Sequence, residues 1–343
     1  MSEREPYGPP LVMSDVAKAT GVSKQTVSRV MNNSPHVRRE TRERVLAAVR
    51  ELGYQPNSAA RALATGRTRT LGVVAFDTVH HGPAKVLHSI GRAAQEAGYV
   101  VSVVPMRSPD HGAMAEAADQ LLEHDVDGLI AIAPEHDMSR ALLDIPRKIP
   151  MVVLDGTPDP QIPVVAADDE GGAHRAASHL LQLGHRTVHH IAGPRQSLAG
   201  SRRVAGWLGA LREQGASAPE ALYGDWEPHS GYEAGLVLAD DPDVTAILAG
   251  NDPMAFGVLR ALHDRGRRVP QDVSVIGFDD MPEAGYAIPP LSTVRPNFSE
   301  MGRRTISVLV GQIRSGELPR MMRSVVSTDL VVRHSSGAAP RTT

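Results

Sequence analysis

The sequence predicts an α/β protein that combines a three-helix, helix-turn-helix head with a core of two doubly wound parallel-sheet lobes. Residues 12–33 carry apolar side chains at helical spacing, whereas from residue 70 onward short apolar runs alternate with amphipathic helical segments. The predicted strands are more numerous than one sheet usually contains, which indicates two similar lobes. A chain of 343 residues has room for two or three domains with separate cores.

The head begins with two short helices separated by a glycine. Aliphatic side chains recur at helical spacing on both sides of Gly21, which can supply the left-handed residue that ends the first helix. Ser23 is a good N-cap for the second helix. This pattern is typical of a helix-turn-helix, although an ordinary surface hairpin of helices also fits it. The outward side chains of the second helix are donors suited to base edges and phosphates: Lys24, Gln25, Thr26, Ser28 and Arg29.

Charge is distributed unevenly along the chain. Residues 1–69 contain 12 Lys and Arg against 6 Asp and Glu, a net charge of +6, and the remainder contains 24 against 33, a net charge of −9. A basic head on an acidic body favours a nucleic-acid contact that is confined to one end.

A third amphipathic helix is predicted over residues 40–52, with Gly53 as its stop. Residues 58–64 follow Asn57, which is able to cap them, but seven residues are too few for a stable isolated helix. This segment is therefore either a plain linker or a helix that forms only when something docks it. Leu63 is its one large apolar side chain and has no obvious core to enter.

The expected organisation is a mobile leader (1–11), a helix-turn-helix domain (12–55), a hinge helix and linker (56–69), a core (70–335) and a flexible tail (336–343). Within the core, the first lobe comprises residues 70–167 and 297–326, and the second comprises residues 168–296 and 327–335. Strands are expected at 71–76, 100–104, 128–133, 151–154, 164–166, 188–192, 246–249, 273–278 and 325–332. Helices between them include 83–97, 113–124, 171–183, 204–214, 254–265 and 299–313.

Ligands of such folds bind at the carboxyl ends of strands, where the lobes face each other. The residues found just past predicted strand ends are Asp77, Asp155, Gly193, Pro194, Asn251, Asp252, Asp279 and Asp280. With Arg202 and Arg203, and with Trp226 and Phe298 as flat apolar walls, this lining suits a neutral polyhydroxylated ring. Asp280 is expected to cap the turn that follows it, and Asp252 is expected to cap a helix better than Asn251 does.

Several classes of function have no support in the sequence. The chain has no cysteine, which excludes disulfides and thiolate chemistry. It has no run of about 18 apolar residues and its N-terminus lacks a signal-peptide core, so a cytoplasmic protein without a membrane partner is expected. Neither a G-x-S-x-G elbow nor a phosphate-binding glycine loop is present, so no enzyme and no cofactor are expected. His80 and His81 lack a third ligand nearby, which disfavours a metal site.

With head, linker and two-lobed core in this order, the chain resembles the lactose-repressor family of bacterial transcription regulators over residues 12–333. The matching segments are DVAKATGVSKQTVSRVMN, PNSAARALA, LQLGHRTVHHIAGP, RRVAGW, GDW, AGNDPMAFGVLRAL, DVSVIGFDD and IPPLSTV. The core by itself resembles periplasmic sugar-binding proteins.

The resemblance implies that the second helix of the head lies in the major groove of DNA, where Lys24, Gln25 and Arg29 read bases. The complete set of implied DNA-contacting residues is Lys24, Gln25, Thr26, Ser28, Arg29, Asn32, His36, Asn57, Ala60 and Leu63. The linker becomes a hinge helix that orders on DNA, and Leu63 falls at the family's minor-groove wedge.

In the core, the resemblance implies that Phe76, His80, Asp155, Arg203, Trp226, Asn251, Asp279 and Phe298 bind a ligand. Further wall positions that align are Gly82, Pro83, Val86 and Pro296. Phe76 replaces a small polar residue, His80 an aliphatic one and Pro296 a side-chain amide. The polar half of the site is kept and the apolar half is altered, which implies a sugar with a different aglycone or second sugar.

The resemblance implies a homodimeric repressor that binds a pseudo-palindromic operator in double-stranded DNA and is released by a small sugar, such as a galactoside-like glycoside. No leucine heptads follow the last predicted strand, so a helical tetramerisation tail is not expected. Two alternatives remain open: a regulator of the same family that a corepressor activates, and a sugar-binding transport protein.

Overall fold

The computed structural model describes residues 11–31, 34–54, 62, 66–76, 79–108, 110–132, 135, 142, 145, 149–157, 161–317 and 322–340. The chain divides into two compact units, residues 1–68 and residues 69–343. The first unit contains the helical head, and the second contains both sheet lobes.

The head consists of α1 (Met13–Thr20), α2 (Lys24–Met31) and α3 (Arg39–Leu52). Its buried core is formed by Val16, Ala17, Val27, Val30, Val45 and Tyr54. Gly21 ends α1 in the left-handed conformation, with φ +66°. The Ser23 hydroxyl accepts a hydrogen bond from the Thr26 amide (3.1 Å), which confirms the predicted turn between α1 and α2.

Two apolar positions of the head lie at the surface instead of in the core. Ala19 is exposed, and the neighbouring Thr20 is buried in its place. The Thr20 hydroxyl is satisfied because it donates to the carbonyl oxygen of Val16 (2.7 Å). Leu52, in the last turn of α3, is also exposed. Periodicity alone places a residue on a helix side, whereas the crossing of the three helices decides which part of that side is covered.

The first lobe is a six-stranded parallel sheet. Its strands are β1 (Thr70–Ala75), β2 (Val100–Pro105), β3 (Gly128–Ile132), β4 (Met151–Leu154), β5 (Val164–Ala167) and β11 (Arg323–Val326), in the order β11-β5-β4-β3-β1-β2. The described helices of this lobe are α4 (His81–Glu96), α5 (His111–Glu123) and α10 (Phe298–Ser315). The inner strands are buried on both faces, as parallel strands covered by helices are.

The second lobe repeats this design with one antiparallel edge strand. Its strands are β6 (His189–Ala192), β7 (Leu222–Tyr223), β8 (Ala246–Ala249), β9 (Ser274–Phe278), β10 (Ser292–Pro296) and β12 (Thr328–Val331), in the order β12-β10-β9-β8-β6-β7. Its helices are α6 (Asp169–Gln182), α7 (Leu198–Glu213), α8 (Pro228–Ala239) and α9 (Asp252–Asp264), with a 3₁₀ turn at Pro282–Tyr286.

The prediction of a single strand at residues 325–332 is wrong. Val326 pairs with Ala167 in the first sheet, whereas Thr328 pairs with Pro296 in the second. The chain therefore passes between the lobes within this apolar stretch, at the boundary between residues 326 and 327 that the expected lobe limits include, and the stretch forms two short strands instead of one. Strands β7 and β10 are absent from the sequence-based assignment.

The flexible tail expected at residues 336–343 is also incorrect for its first part. Ser335, the last residue of the expected core, is buried, and its hydroxyl donates to the carbonyl oxygen of Val275 (2.6 Å) and accepts from the amide of Ser292 (2.7 Å). Within the expected tail, the Gly337 amide donates to Ser274 Oγ (3.0 Å). Further along, the Ala339 amide donates to the carbonyl oxygen of Leu183 (3.0 Å). This segment is fixed because it supplies partners to backbone groups at the amino ends of β9 and β10.

No helix in the described part of the chain combines the length and apolar character that crossing a bilayer requires. Within the same residues, no group of three or more His, Asp or Glu side chains is arranged to hold a metal ion.

Candidate functional site

A cavity lies where the carboxyl ends of strands from the two lobes meet. Phe76 and Asp155 follow β1 and β4 of the first lobe, and Asn251 and Asp279 follow β8 and β9 of the second. The structure brings together the eight residues predicted to bind a ligand: Phe76, His80, Asp155, Arg203, Trp226, Asn251, Asp279 and Phe298. The aligned wall positions Gly82, Pro83, Val86 and Pro296 line the same cavity.

Arg203, on α7, is the centre of the polar network. Its side chain is buried, with Nε donating to Asp169 Oδ1 (2.9 Å) and Nη2 lying 3.5 Å from Asp279 Oδ1. A further guanidinium nitrogen donates to the carbonyl oxygen of Gly250, and the guanidinium carbon lies 3.6 Å from the centroid of the Phe278 ring. Burial disfavours the cation, but the two carboxylates outweigh this effect and raise the pKa of Arg203. The arginine is therefore charged and fixed in place.

Asp155 and Arg202 join the two lobes beside this network. Arg202 Nη2 donates to the backbone carbonyl oxygens of Asp155 (3.2 Å) and Gly156 (2.8 Å). Burial and the Asp169 carboxylate raise the pKa of Asp155 to about 6, although Arg202 opposes them. Near neutral pH this carboxyl is consequently able to accept a hydrogen bond or, when protonated, to donate one.

Asp169 was not among the predicted ligand residues, yet it is buried and lines the cavity. Its Oδ1 accepts from Arg203, whereas its buried Oδ2 has no hydrogen-bond partner among the described residues. A buried acceptor without a partner is costly. A hydroxyl group of a bound ligand is the kind of donor that would satisfy it.

Three non-glycine residues of the cavity have a positive φ: Asp155 (+58°), Trp226 (+75°) and Asp279 (+100°). Such conformations cost of order 1–3 kcal/mol each and cluster where function constrains the backbone. At Asp279 the strained backbone directs a carboxylate toward Arg203, while burial raises its pKa and Arg203 opposes that rise.

Trp226 forms one wall of the cavity, and its position depends on a glycine. A Cβ at Gly193 would lie 2.1 Å from the Trp226 ring, so only glycine permits this packing. The carboxamide of Asn251 donates to the carbonyl oxygen of Trp226 (2.9 Å), and its Oδ1 accepts from the Met254 amide (3.0 Å). Asn251 thus ties the tryptophan loop to the first turn of α9.

These contacts correct two expectations about helix caps. Asn251, and not Asp252, is the N-cap of α9. Asp280 does not cap the following turn, because its carboxylate forms ion pairs with Arg295 (2.5 Å) and Arg333 (2.6 Å). Adjacent polar residues after a strand cannot be assigned by residue type alone, since strand and helix directions decide which one faces the amides.

The first lobe contributes a wall with two imidazoles. His80 Nδ1 lies 3.5 Å from Glu227 Oε1 of the second lobe, which makes a contact across the cavity rim. His81 packs edge-to-face against Phe298, with ring centroids 6.1 Å apart. Burial lowers the pKa of His81, although the Asp279 carboxylate opposes this shift.

Five polar lining residues were missed as ligand candidates: His81, Glu135, Asp169, Ser197 and Asp225. The rule that selected Asp155 and Asp279 also applies to Asp169, which follows β5 in the same way. Ser197 precedes α7 and does not directly follow a predicted strand, so the rule that selects residues past strand ends does not identify it. The candidate Asp77 lies outside the described residues.

In the head, Lys24, Gln25 and Arg29 are exposed on α2, and Thr26 and Ser28 are partly buried between them. His36, in the loop before α3, is exposed as well. This surface is supported from behind by the buried Val27 and Val30. The remaining predicted DNA contacts, at Asn32, Asn57, Ala60 and Leu63, lie outside the described residues.

Comparison with family models gives two matches that together span most of the chain. Residues 12–57 match the model of the bacterial regulatory proteins of the lacI family. Residues 177–336 match the model of the periplasmic binding protein-like domain.

Two curated relatives match along nearly the whole length. The lactose operon repressor of Escherichia coli K12 is 34% identical over 310 residues, covering 90% of this chain and 86% of its own. The transcriptional regulator CelR of Thermobifida fusca is 37% identical over 332 residues, covering 93% and 96%.

Two solved structures match the fold. The lac repressor dimer bound to operator and the anti-inducer ONPF superimposes with a TM-score of 0.85 at 32% identity, covering 96% of this chain and 100% of that one. The CelR–cellobiose complex has a TM-score of 0.72 at 34% identity, covering 95% and 99%.

Proposed function

The chain belongs to the lacI family of bacterial regulatory proteins, and we propose that it is a dimeric repressor released from its operator by a neutral sugar. The observation that carries this proposal is the cavity itself, in which strand-end residues of both lobes surround one buried arginine. A ligand held there contacts both lobes and therefore reports their relative orientation.

The head supplies the DNA contact in this proposal. Lys24, Gln25 and Arg29 are exposed on α2, where they are suited to base edges in a major groove, and Thr26 and Ser28 are suited to phosphates. Residues 56–69 form the hinge, whose Leu63 acts as a minor-groove wedge. Each head reads one half-site of a pseudo-palindrome.

The ligand class follows from the charges and surfaces of the cavity. Asp155, Asp169 and Asp279 outnumber the buried Arg203, so a phosphorylated sugar would meet repulsion. Hydroxyl groups both donate and accept, which suits this mixture of carboxylates and guanidinium, and Trp226 offers an apolar face to a sugar ring. A galactoside-like glycoside is the ligand we propose, and the CelR–cellobiose complex shows a relative that binds a disaccharide.

Exposed apolar side chains support a homodimer. Val79, Val100, Tyr286 and Ile288 are 90%, 69%, 89% and 95% exposed, which is unusual for side chains of this type. Val79 and Val100 belong to the first lobe, and Tyr286 and Ile288 to the second, so a partner has apolar surface to cover on each. The lac repressor, a structural neighbour, is a dimer on its operator.

A binding experiment tests the function. The operator is first selected from a random duplex library with the full-length protein, and its affinity is then measured by fluorescence anisotropy. Lactose, cellobiose, a nitrophenyl galactoside and glucose 6-phosphate are titrated into the complex. We expect a palindromic duplex to be preferred, at least one neutral sugar to weaken binding tenfold or more, and glucose 6-phosphate to have no effect. Equal affinity for selected and random duplexes at moderate salt would overturn the proposal.

The alternative to release by the ligand is a ligand that strengthens operator binding. The lac repressor neighbour is bound to its operator and to the anti-inducer ONPF at the same time, so in that relative a bound small molecule is compatible with the DNA-bound state. If a neutral sugar tightens operator binding in the same titration, the protein is a corepressor-activated regulator instead.

A further inference from the structure

Asp252, the first residue of α9, is a buried carboxyl that does not line the cavity. Its Oδ2 accepts from the backbone amide of Met281 (2.7 Å), and its Oδ1 is hydrogen-bonded to Thr293 Oγ1 (2.6 Å). Both partners belong to other elements, because Thr293 lies on β10 and Met281 follows β9. The side chain therefore connects three elements that meet behind the sugar site.

The space around this carboxyl is shaped to receive it. A Cβ at Gly277 of β9 would lie 2.2 Å from Asp252 Oδ1, so a larger residue there would displace the carboxyl. The same Cβ position has Leu291 and Ala255 at 3.1 and 3.3 Å, which shows how closely the surrounding side chains pack. A carboxyl held this tightly fixes the positions of the groups that it contacts.

Those groups belong to the turn that carries Asp279. Asp279 and Asp280 have φ values of +100° and +47°, conformations that non-glycine residues rarely adopt. The next two amides are both held from behind: that of Asp280 donates to Thr293 Oγ1 (3.3 Å), and that of Met281 donates to Asp252. The Asp279 amide donates to the carbonyl oxygen of Val294 (2.7 Å), so all three amides of the turn have an acceptor that opposes its relaxation toward ordinary backbone angles.

We propose, building on the sugar site described above, that Asp252 is a positioning residue. Together with Thr293 it locks the turn at residues 279–281, so that the Asp279 carboxylate stays beside Arg203 and within reach of a ligand hydroxyl. It touches no ligand itself and acts only through the turn.

The charged groups that face Asp252 agree with this role. Asp279 and Asp280 approach it from the turn, while Arg295 of β10 and Arg333 pair with Asp280, and no basic side chain among the described residues forms an ion pair with Asp252. Burial and the two neighbouring carboxylates raise the pKa of Asp252 to about 8, against the effect of its hydrogen bonds. At neutral pH the group is mainly an uncharged acid, and asparagine reproduces its shape and hydrogen bonding.

Hydrogen exchange of the full-length protein, measured by mass spectrometry on peptides spanning residues 278–286, tests the lock without any ligand. The variants are D252N, D252A, T293V and the double variant D252A/T293V. The matched control is S274A, which removes a buried hydroxyl from β9 at its other end, where Ser274 contacts His185 and Gly337. Binding of lactose and cellobiose is measured on the same proteins by calorimetry.

We expect D252A and T293V to speed exchange of these peptides at least tenfold and the double variant to add little. D252N should exchange no faster than the wild type, and S274A should behave as the wild type. Should D252A fail to fold, T293V, which keeps the volume of the side chain, provides the same comparison. The idea is overturned if D252A and T293V leave exchange unchanged, or if D252N or S274A speeds it as much. Absence of sugar binding in the wild type would contradict the proposed function, while the exchange result would still decide the role of Asp252.

Discussion

A buried arginine between carboxylates is stable only while its partners stay in position, because each unpaired charge would be left without water. Arg203 meets Asp169 on one side and Asp279 on the other, with Phe278 under its plane. The planar fork of a guanidinium reaches several acceptors at once, whereas an ammonium group is a single point charge. The binding role that we propose for Arg203 therefore depends on shape as well as on charge.

We expect Arg203→Lys to weaken sugar binding at least tenfold, which corresponds to about 1.4 kcal/mol. The lysine keeps the charge but cannot reach Asp169, Asp279 and the Gly250 carbonyl together. Calorimetry with the sugar that scores best in the operator assay measures the effect. Arg212→Met, an exposed change on the same helix, serves as the control and should bind as the wild type does.

The pH dependence of stability has a defined sign at Asp252. Its pKa of about 8 in the folded protein lies above the ordinary 3.8, so folding favours the protonated form. The stability that this proton provides is complete below about pH 4 and is lost as the pH rises toward 8. A variant whose residue 252 does not titrate keeps this stability as the pH rises.

Asp252→Asn should therefore melt at nearly the wild-type temperature at pH 4 and several degrees above it at pH 8. Scanning calorimetry at several pH values between 4 and 9 measures this difference. A constant difference across that range would show that Asp252 does not titrate as its surroundings require.

At the scale of an element, the segment after β12 closes the amino ends of β9 and β10. The amide of Val275 donates to the carbonyl oxygen of Ser335 (2.8 Å), and the hydroxyl of Ser335 bonds back to the same residue. Buried backbone groups that lose their partners cost about 1–3 kcal/mol each. This segment is consequently part of the second lobe and contributes to its stability.

Removal of residues 334–343 should lower the melting temperature of the core by several degrees, with sugar binding weakened only as far as the lobe unfolds. A chain shortened by residues 341–343 alone is the control. Equal melting temperatures for the two shortened proteins would contradict the contacts of Ser335.

At the scale of the whole core, the chain passes between the lobes three times, near residues 168, 297 and 327. Arg175 of α6 connects the first and third of these crossings. Its Nη2 donates to the carbonyl oxygen of Thr328 (2.8 Å) and lies 3.2 Å from Asp168 Oδ2. One side chain thus ties together two of the three segments that connect the lobes.

We expect Arg175→Met to reduce, by at least threefold, the factor by which sugar changes operator affinity, because a looser hinge transmits less of the ligand's preference. Anisotropy titrations with and without sugar measure that factor. Since coupling is reciprocal, operator DNA must change sugar affinity by the same factor in each protein. Arg212→Met is again the control. If the Arg175→Met protein keeps the wild-type coupling factor, the contacts of Arg175 at the hinge do not transmit the effect of the sugar to the operator.

The sequence by itself determined the features that depend on local spacing. The helices of the head follow from apolar residues three and four positions apart and from Gly21, and the two lobes follow from alternating strands and helices. The rule that ligands bind past strand ends selects Asp155, Asn251 and Asp279 from the sequence, and all three line the cavity.

Only the tertiary structure decided the features that join distant parts of the chain. Asp169 meets Arg203 across 34 positions, and Arg175 meets Thr328 across 153. The cap at Asn251 instead of Asp252 and the hydrogen bonds that tie Gly337 and Ala339 to the second lobe have the same origin. Each depends on which strand or helix lies beside the residue in space, and local spacing contains no information about that neighbour.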